Sequence, residues 1–161
     1  MKLFPAPFLA VILSALATSA VGLERGQTAE GVKYVSGGVG ESERLSLRAE
    51  RKGYTLWITT VAKGSGAYLS DAHVRIVRAD DNQLVLDRDM DGPWLLAALS
   101  PGRYHVSASL QPAGADKPQS IMSTVRIRPG ELRQAVMRFA SSADVGSERH
   151  RAFGGNPFGD D

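Results

Sequence analysis

The sequence contains a glycine-rich turn of the kind that can bind phosphate. It reads VSGGVGE, from Val35 to Glu41, and three of its residues are glycines. Such turns bind phosphate when they lead into a helix, because backbone N–H groups then point at the anion. A phosphate loop also needs a lysine followed by serine or threonine, whereas Gly40 is followed by Glu-Ser-Glu, whose acids would repel phosphate. We therefore expect a tight chain reversal, in which the structural residues are Gly37, Gly38 and Gly40.

A second stretch has the opening spacing of a calcium-binding loop. It reads DRDMDG, from Asp87 to Gly92, and matches Asp-x-Asp-x-Asp-Gly. The calcium loop also needs a bidentate glutamate at its twelfth position, where this chain has Ala98. We therefore expect a solvated acidic turn, no bound metal and no cofactor. Calcium binding in another geometry stays open, with these candidate ligands: Asp87, Asp89 and Asp91.

The remaining reactive residue types form no known catalytic motif. The histidines, His73, His105 and His150, have no second histidine and no cysteine at the spacing of zinc ligands. The chain has no cysteine nucleophile, no Gly-x-Ser-x-Gly and no His-Glu-x-x-His. We therefore predict that the protein is not an enzyme, and we keep an enzyme of unrecognised type as the least favoured alternative.

Two tryptophans could bind sugar rings if they were exposed. Large aromatic side chains are usually well buried, and Trp57 stands between Leu56 and Ile58 in a pattern that suits packing beneath a helix. We expect Trp57 and Trp94 to lie in the core. A carbohydrate-binding module is the alternative function that exposed aromatic residues would support.

The start of the chain is typical of a secretory signal peptide. A basic residue precedes an apolar run from Leu3 to Leu16, which is shorter than the ~20 residues that span a bilayer. Small residues make Ala17 and Ala20 possible cleavage points, and we expect residues 1–20 to be removed. The product is then periplasmic or secreted, with no membrane insertion after cleavage.

Charge and cysteine content limit the partners and the means of stabilisation. The chain has 19 basic and 17 acidic residues, which are interspersed rather than clustered, so no nucleic-acid partner is predicted. With no cysteine there is no disulfide, and the fold depends on its own core.

The charge pattern predicts a helix over residues 41–52. Glu41 and Glu43 would lie in its first turn and Arg48 in its last, which complements the helix dipole, and Gly53 follows as a stop. Residues 21–31 are polar and small, which predicts a flexible lead-in.

Short strands separated by turn residues follow the helix. They make a domain over residues 32–140, in which no long helical crossover is available for a parallel sheet. We therefore predict an antiparallel β-sandwich of about seven strands. The runs are Tyr54 to Ala62, Ala72 to Arg78, Gln83 to Asp87, Trp94 to Leu99, Arg103 to Leu110, Ile121 to Arg128 and Arg133 to Phe139, with a further short run at Val32 to Val35. Residues 141–161 are polar and glycine-rich, which predicts a disordered tail.

Part of the domain carries a recognisable pattern, Gly-x-x-Leu-x-x-Ala-x-Val, then Asp-Gly with an aromatic residue, then Leu-x-Pro-Gly-x-Tyr-x-Val. This pattern resembles the carboxypeptidase regulatory-like domains, whose fold is a transthyretin-like, Ig-like sandwich. The matching residues are Gly66, Leu69, Ala72, Val74, Asp91, Gly92, Trp94, Leu99, Pro101, Gly102, Tyr104 and Val106. The pairing of Gly-Gly-Val-Gly with Asp-Gly-Pro-Trp is also similar to a group of small exported bacterial proteins of unknown role.

The resemblance implies a non-catalytic accessory or interaction module. We expect it to be monomeric or weakly associating, with an envelope protein or a glycan as partner. It also implies burial of Trp94. In the Pro-Gly-x-Tyr signature, Pro101 suits the first position of a type II turn and Gly102 would take its positive φ. Tyr104 would enter the edge of the core with its hydroxyl free to hold a loop.

Overall fold

A computed structural model describes residues 22–111 and 117–140 of the chain. The predicted signal peptide, residues 1–20, and the predicted tail, residues 141–161, lie outside the described residues. Within the described ranges the chain forms two β-sheets and one α-helix. No helix in these ranges is long and apolar enough to cross a membrane.

The two sheets are built from strands that are numbered in chain order. The strands are β1 (Glu24–Gln27), β2 (Lys33–Gly37), β3 (Leu56–Ala62), β4 (His73–Arg78), β5 (Leu84–Asp89), β6 (Trp94–Ala97), β7 (Gly102–Leu110), β8 (Gln119–Ile127) and β9 (Arg133–Phe139). Helix α1 (Glu41–Glu50), continued by a short 3-10 turn at Arg51–Gly53, lies between β2 and β3. One sheet has the strand order β1-β2-β6-β3-β9 and the other has the order β5-β4-β7-β8.

Helix α1 is present where the charge pattern predicts it. Glu41 and Glu43 lie in its first turn and Arg48 in its last. Leu47 is fully buried against the five-stranded sheet, whereas Leu45 is exposed. The helix is therefore held to the sheet mainly by one apolar side chain and by the contacts of its N-terminal turn.

Strand β1 lies in the segment for which the sequence predicts a flexible lead-in. It pairs antiparallel with β2, from Glu24↔Ser36 to Gln27↔Lys33. Its Arg25 also forms an ion pair with Glu50 of α1, at 2.5 Å. Backbone hydrogen bonds and ion pairs, rather than apolar alternation, hold this strand, so residues 21–31 give no strand signal. The described residues accordingly contain nine strands, not about seven.

Strands β3 and β9 are parallel, in register from Leu56↔Arg133 to Ala62↔Phe139. The sequence predicts an antiparallel arrangement, and the other pairings between named strands are antiparallel. Between β3 and β9 the chain crosses to the other sheet for β4 and β5, returns for β6, and crosses again for β7 and β8. These passages replace the helical crossover that parallel strands usually need. The broader prediction of a mainly β, two-sheet fold is confirmed.

The two sheets enclose a shared apolar core, as in a sandwich. The alternating apolar faces of β7 and β8 point inward, and Tyr104 donates a hydrogen bond from its hydroxyl to the carbonyl oxygen of Ser100, at 2.9 Å. Pro101 lies between these two residues, so the tyrosine holds the turn before β7. Core residues from both sheets include Leu56, Ile58, Leu95, Met137 and Phe139 on one side and Val74, Ile76, Leu86, Val106 and Val125 on the other.

A second apolar cluster lies between α1 and the outer face of the five-stranded sheet. Trp57 and Trp94 pack edge to face there, with ring centroids 4.8 Å apart, beside Leu47 of the helix. The prediction that both tryptophans are buried is confirmed. Neither indole N–H has an acceptor among the described residues, so this pair contributes through packing rather than hydrogen bonding.

The Pro-Gly turn before β7 differs from its prediction in one respect. Gly102 is the first residue of β7 and is not among the glycines with positive φ, so it does not occupy the left-handed position of a type II turn. A Cβ atom placed on Gly102 would contact the Tyr104 ring at 3.6 Å, an ordinary distance. Gly92, by contrast, lies where packing against backbone leaves no room for a side chain, since its Cβ would lie 2.5 Å from the carbonyl carbon of Gly37.

We expect Gly92→Ala to lower the free energy of unfolding by about 1–3 kcal/mol, the usual cost of forcing an atom into filled space. Gly102→Ala is the matched control and should change stability by less than ~1 kcal/mol, since it has room and needs no special φ. Urea unfolding of the two variants checks this. Equal effects would contradict the close approach of Gly92 to Gly37.

The end of β9 is held at several points. Phe139 is fully buried, and its carbonyl oxygen accepts a hydrogen bond from the N–H of Lys63 at 2.6 Å. The side-chain amide of Gln119 bonds both backbone groups of Ala140, donating to its carbonyl at 2.8 Å and accepting from its N–H at 2.9 Å. The packed domain thus extends to Ala140.

A chain that ends at Ala140 should stay folded, because the contacts that β9 makes within the described residues all remain. A chain that ends at Met137 should lose about 3–5 kcal/mol, the cost of removing a buried aromatic side chain. Thermal melts and hydrogen exchange of both truncations measure this. Unfolding of the first chain, or an unchanged melt of the second, would place the domain boundary elsewhere.

Candidate functional site

The N–H groups of the glycine-rich turn bind a carboxylate of the chain itself. Glu43 Oε2 accepts hydrogen bonds from the backbone nitrogens of Gly38, at 2.9 Å, and Val39, at 3.1 Å. Arg44 Nη1 donates to the carbonyl oxygens of the same two residues, at 3.0 and 2.8 Å. A phosphate would have to displace Glu43 from this position. The turn therefore serves to begin α1, in keeping with its structural interpretation.

The glycines of the turn also meet the Asp-Gly-Pro-Trp segment. A Cβ on Gly38, whose φ is +92°, would lie 3.2 Å from the Trp94 ring, and Gly37 approaches Gly92. Gly40 differs, since a Cβ there would meet only the Ser42 hydroxyl, at 3.8 Å. The two halves of the sequence pattern, Gly-Gly-Val-Gly and Asp-Gly-Pro-Trp, are thus one packed unit.

The aspartates of the second stretch lie mostly in a strand rather than in a turn. Asp87 and Asp89 belong to β5 and face β4. Asp89 Oδ1 is 2.8 Å from Nδ1 of His73, Asp87 Oδ1 is 2.6 Å from Nε2 of the same ring, and Asp87 Oδ2 is 2.8 Å from Arg75. The prediction of an acidic turn is wrong for these residues, whose charges are paired across two strands.

A second ion pair joins the same region to the five-stranded sheet. Arg88 forms an ion pair with Glu24 of β1, and its guanidinium lies 4.7 Å from the centroid of the Tyr34 ring. Burial raises the pKa of Glu24, and a hydrogen bond with Asp91 raises it further, against the opposing charge of Arg88.

The three candidate calcium ligands therefore bond to other side chains. Asp87 and Asp89 contact His73, and Asp91 forms a hydrogen bond with Glu24. Asp87, Asp89 and Asp91 line one surface depression together with Glu24 and His73. No group of three His, Cys, Asp or Glu side chains within residues 22–111 and 117–140 could hold a metal ion. What this cluster can do is respond to pH, because its histidine carries a variable charge.

A hydrogen bond to Asp89 raises the pKa of His73, with a further contribution from Asp87. The imidazolium form donates to both carboxylates, which a neutral ring with a single N–H cannot do. Sequence reasoning considers His73 only as a possible zinc ligand and misses its two carboxylate partners. The sequence does contain a matching pattern, His-x-Arg in β4 and Asp-x-Asp in β5. The two can be recognised as partners only when the register of these strands is known.

The raised pKa predicts a pH-dependent stability. The folded pKa of His73 exceeds the unfolded value of ~6.5, so its stabilisation is complete below that pH and is lost as pH rises through the folded pKa. We expect the stability difference between wild type and His73→Gln to be larger at about pH 5.5 than at about pH 8.5. The ring is half exposed, so the effect should be ~1 kcal/mol or less. A difference that does not change with pH would contradict the pairing.

The outer face of the five-stranded sheet has an uncovered region beyond α1, which we call the Tyr68 shelf. It is formed by Thr59, Val61, Tyr68, Val136 and Arg138. Tyr68 is 50% exposed and Val136 is 42% exposed, whereas Val61 at the base is nearly buried. A single antiparallel bridge between Val61 and Tyr68 fixes the tyrosine against β3.

The ring of Tyr68 is held by its neighbours. It meets Trp94 edge to face, with centroids 5.8 Å apart, and the guanidinium of Arg44 lies 5.7 Å from the Tyr68 centroid. Arg138 lines the depression, and no acidic side chain of the described residues does so. The shelf thus combines the exposed apolar surface of Tyr68 and Val136 with polar groups such as Thr59, and its border is positive. Sequence reasoning misses it, because Tyr68 follows a glycine-rich connection and carries no strand or motif signal.

No protein-family model matches this chain, and a search of curated proteins finds no matching relative. The resemblance to carboxypeptidase regulatory-like domains therefore stays a prediction.

Proposed function

We propose that this chain is a non-catalytic, exported interaction module of the carboxypeptidase regulatory-like, transthyretin-like type, and that the Tyr68 shelf is its recognition surface. The observation that carries the proposal is the half-exposed pair of Tyr68 and Val136 beside arginines, on a sheet face that α1 covers only in part. Exposed apolar groups that lie together mark interaction sites, and tyrosine and arginine are enriched where binding energy is concentrated.

The internal pairing of the polar groups supports a role in binding rather than in catalysis. Both ring nitrogens of His73 contact carboxylates, and the Glu43 carboxylate occupies the N–H groups of the glycine-rich turn. A general base needs a free nitrogen within reach of its substrate, and an anion site needs free donors. Neither requirement is met at these two places, while the Tyr68 shelf offers contact area.

An envelope protein is the favoured partner, and a glycan is the alternative. The alternative rests on an exposed aromatic ring, Tyr68, beside the polar side chains of Thr59 and Arg138. Against it, the guanidinium of Arg44 already lies over one face of the Tyr68 ring, and a sugar that stacked on that face would have to displace it. A protein partner can instead pack against the exposed side chain of Val136 and leave Arg44 in place.

Site-specific photo-crosslinking in the exporting cell tests this surface. A benzophenone amino acid at position 68 should give discrete crosslinked protein products, because the partner contacts the shelf. The matched control is position 122, since Met122 is 73% exposed but lies on β8 of the other sheet. The same products from both positions, or none from position 68, would count against the proposal.

A glycan array separates the alternative function. Under the proposal, the wild type and Tyr68→Ala should show the same low binding across the array. If the wild type bound particular glycans and Tyr68→Ala did not, the result would instead establish a carbohydrate-binding module.

A further inference from the structure

We propose that the segment following Ala140 binds the Tyr68 shelf of its own chain through Phe153 and Phe158, and so competes with an external partner. The competition rests on the proposed function of the shelf, whereas the docking of the segment does not. Three observations support the docking. They are the place at which the chain leaves the domain, the length of the segment, and the chemical character of its residues.

The chain leaves the domain at the end of the sheet where the shelf lies. Strand β9 runs parallel to β3, and its last residue, Phe139, is in register with Ala62. β3 leads there into the connection that carries Tyr68, and Lys63 in this connection bonds the carbonyl of Phe139. Val136 and Arg138 of the shelf are themselves residues of β9. The following segment therefore starts beside the surface that it is proposed to cover.

The segment is long enough to fold back. Phe153 is 13 residues beyond Ala140, and a flexible chain of that length has a root-mean-square span of about 20 Å. Its extended reach is about 45 Å. Tethering of this kind gives an effective concentration in the millimolar range, so even a weak contact would be populated.

The chemistry of the segment complements the shelf. Residues 153–161 read FGGNPFGDD, with two phenylalanines, two aspartates and no basic residue. The phenylalanines match the exposed apolar surface of Tyr68 and Val136, and Asp160 and Asp161 match the arginine border, which includes no acid among the described residues. Aromatic packing with an adjacent charge pair is a common composition for a binding contact.

Amide NMR spectra of the full chain test the docking. The double variant F153A/F158A should shift the resonances of Val61, Tyr68 and Val136 and leave those around Met122 unchanged. Arg149→Gln, in the same segment but outside the aromatic stretch, is the control and should shift none of them. Cooperative melting of both variants would show that they keep the fold. Unchanged shelf resonances in F153A/F158A would overturn the proposal.

Dilution distinguishes a contact within one chain from a contact between copies. An intramolecular contact gives the same shelf resonances over a roughly twentyfold dilution, because mass action does not affect it. Resonances that move toward those of F153A/F158A on dilution would assign the contact to a second copy and overturn the intramolecular form. The variant D160N/D161N should weaken the contact and move the shelf resonances part of the way, and a lack of change would remove the charge contribution.

Crosslinking from position 68 then separates the two proposals. Competition predicts that F153A/F158A gives about two- to tenfold more partner product than the wild type, since the tethered competitor is weakened. Shelf resonances that respond to the variant, with no partner product from either chain, would keep the docking and refute the interaction function. Equal partner product from both chains would refute the competition and leave that function intact.

Discussion

The close approach of two glycine backbones, Gly37 at the end of β2 and Gly92 before β6, determines how the helix sits on the five-stranded sheet. A Cβ on Gly92 would lie 2.5 Å from the carbonyl carbon of Gly37, and the neighbouring Gly38 lies against the Trp94 ring. The hydroxyl of Ser36 adds a hydrogen bond from the N–H of Asp91, at 3.0 Å. Because the chain turns into α1 immediately after this contact, the start of the helix is placed by backbone packing, and Glu43 and Arg44 only complete it.

That placement explains why one face of the sheet is partly covered and partly open. The helix buries Trp57 and Trp94, and the guanidinium of Arg48 lies 5.3 Å from the Trp94 ring. α1 is only ten residues long, about 15 Å, so it cannot extend over the far ends of β3 and β9. Tyr68 fills part of that gap by packing on the edge of Trp94. The exposed shelf is thus a consequence of a short helix on a longer sheet.

Sequence patterns predict most of the elements but not their partners. The helix follows from its charges, and the strands from β3 onward follow from turn residues, because both signals are local. Strand β1 was missed since its polar residues show no alternation, and the parallel pair of β3 and β9 was missed since it joins residues more than seventy positions apart. Gly102 shows the same limit, since a Pro-Gly dipeptide suits several turns and only the structure decides its φ.

The candidate site is harder to predict from local sequence patterns than the strands are. Its side chains come into contact only across neighbouring strands or between the helix and the sheet. Arg44 is the clearest case, since it caps two carbonyls of the glycine-rich turn and also lies over Tyr68. A ligand that drew this guanidinium away would leave both carbonyls without their partner, and an unsatisfied buried group costs about 1–3 kcal/mol. The hydrogen bond at Gly38 is part-buried and the one at Val39 is exposed, so water would recover much of that cost. Binding that keeps Arg44 in place is therefore favoured, and this condition suits a partner that approaches Tyr68 from the side of Val136 better than one that must stack on the ring.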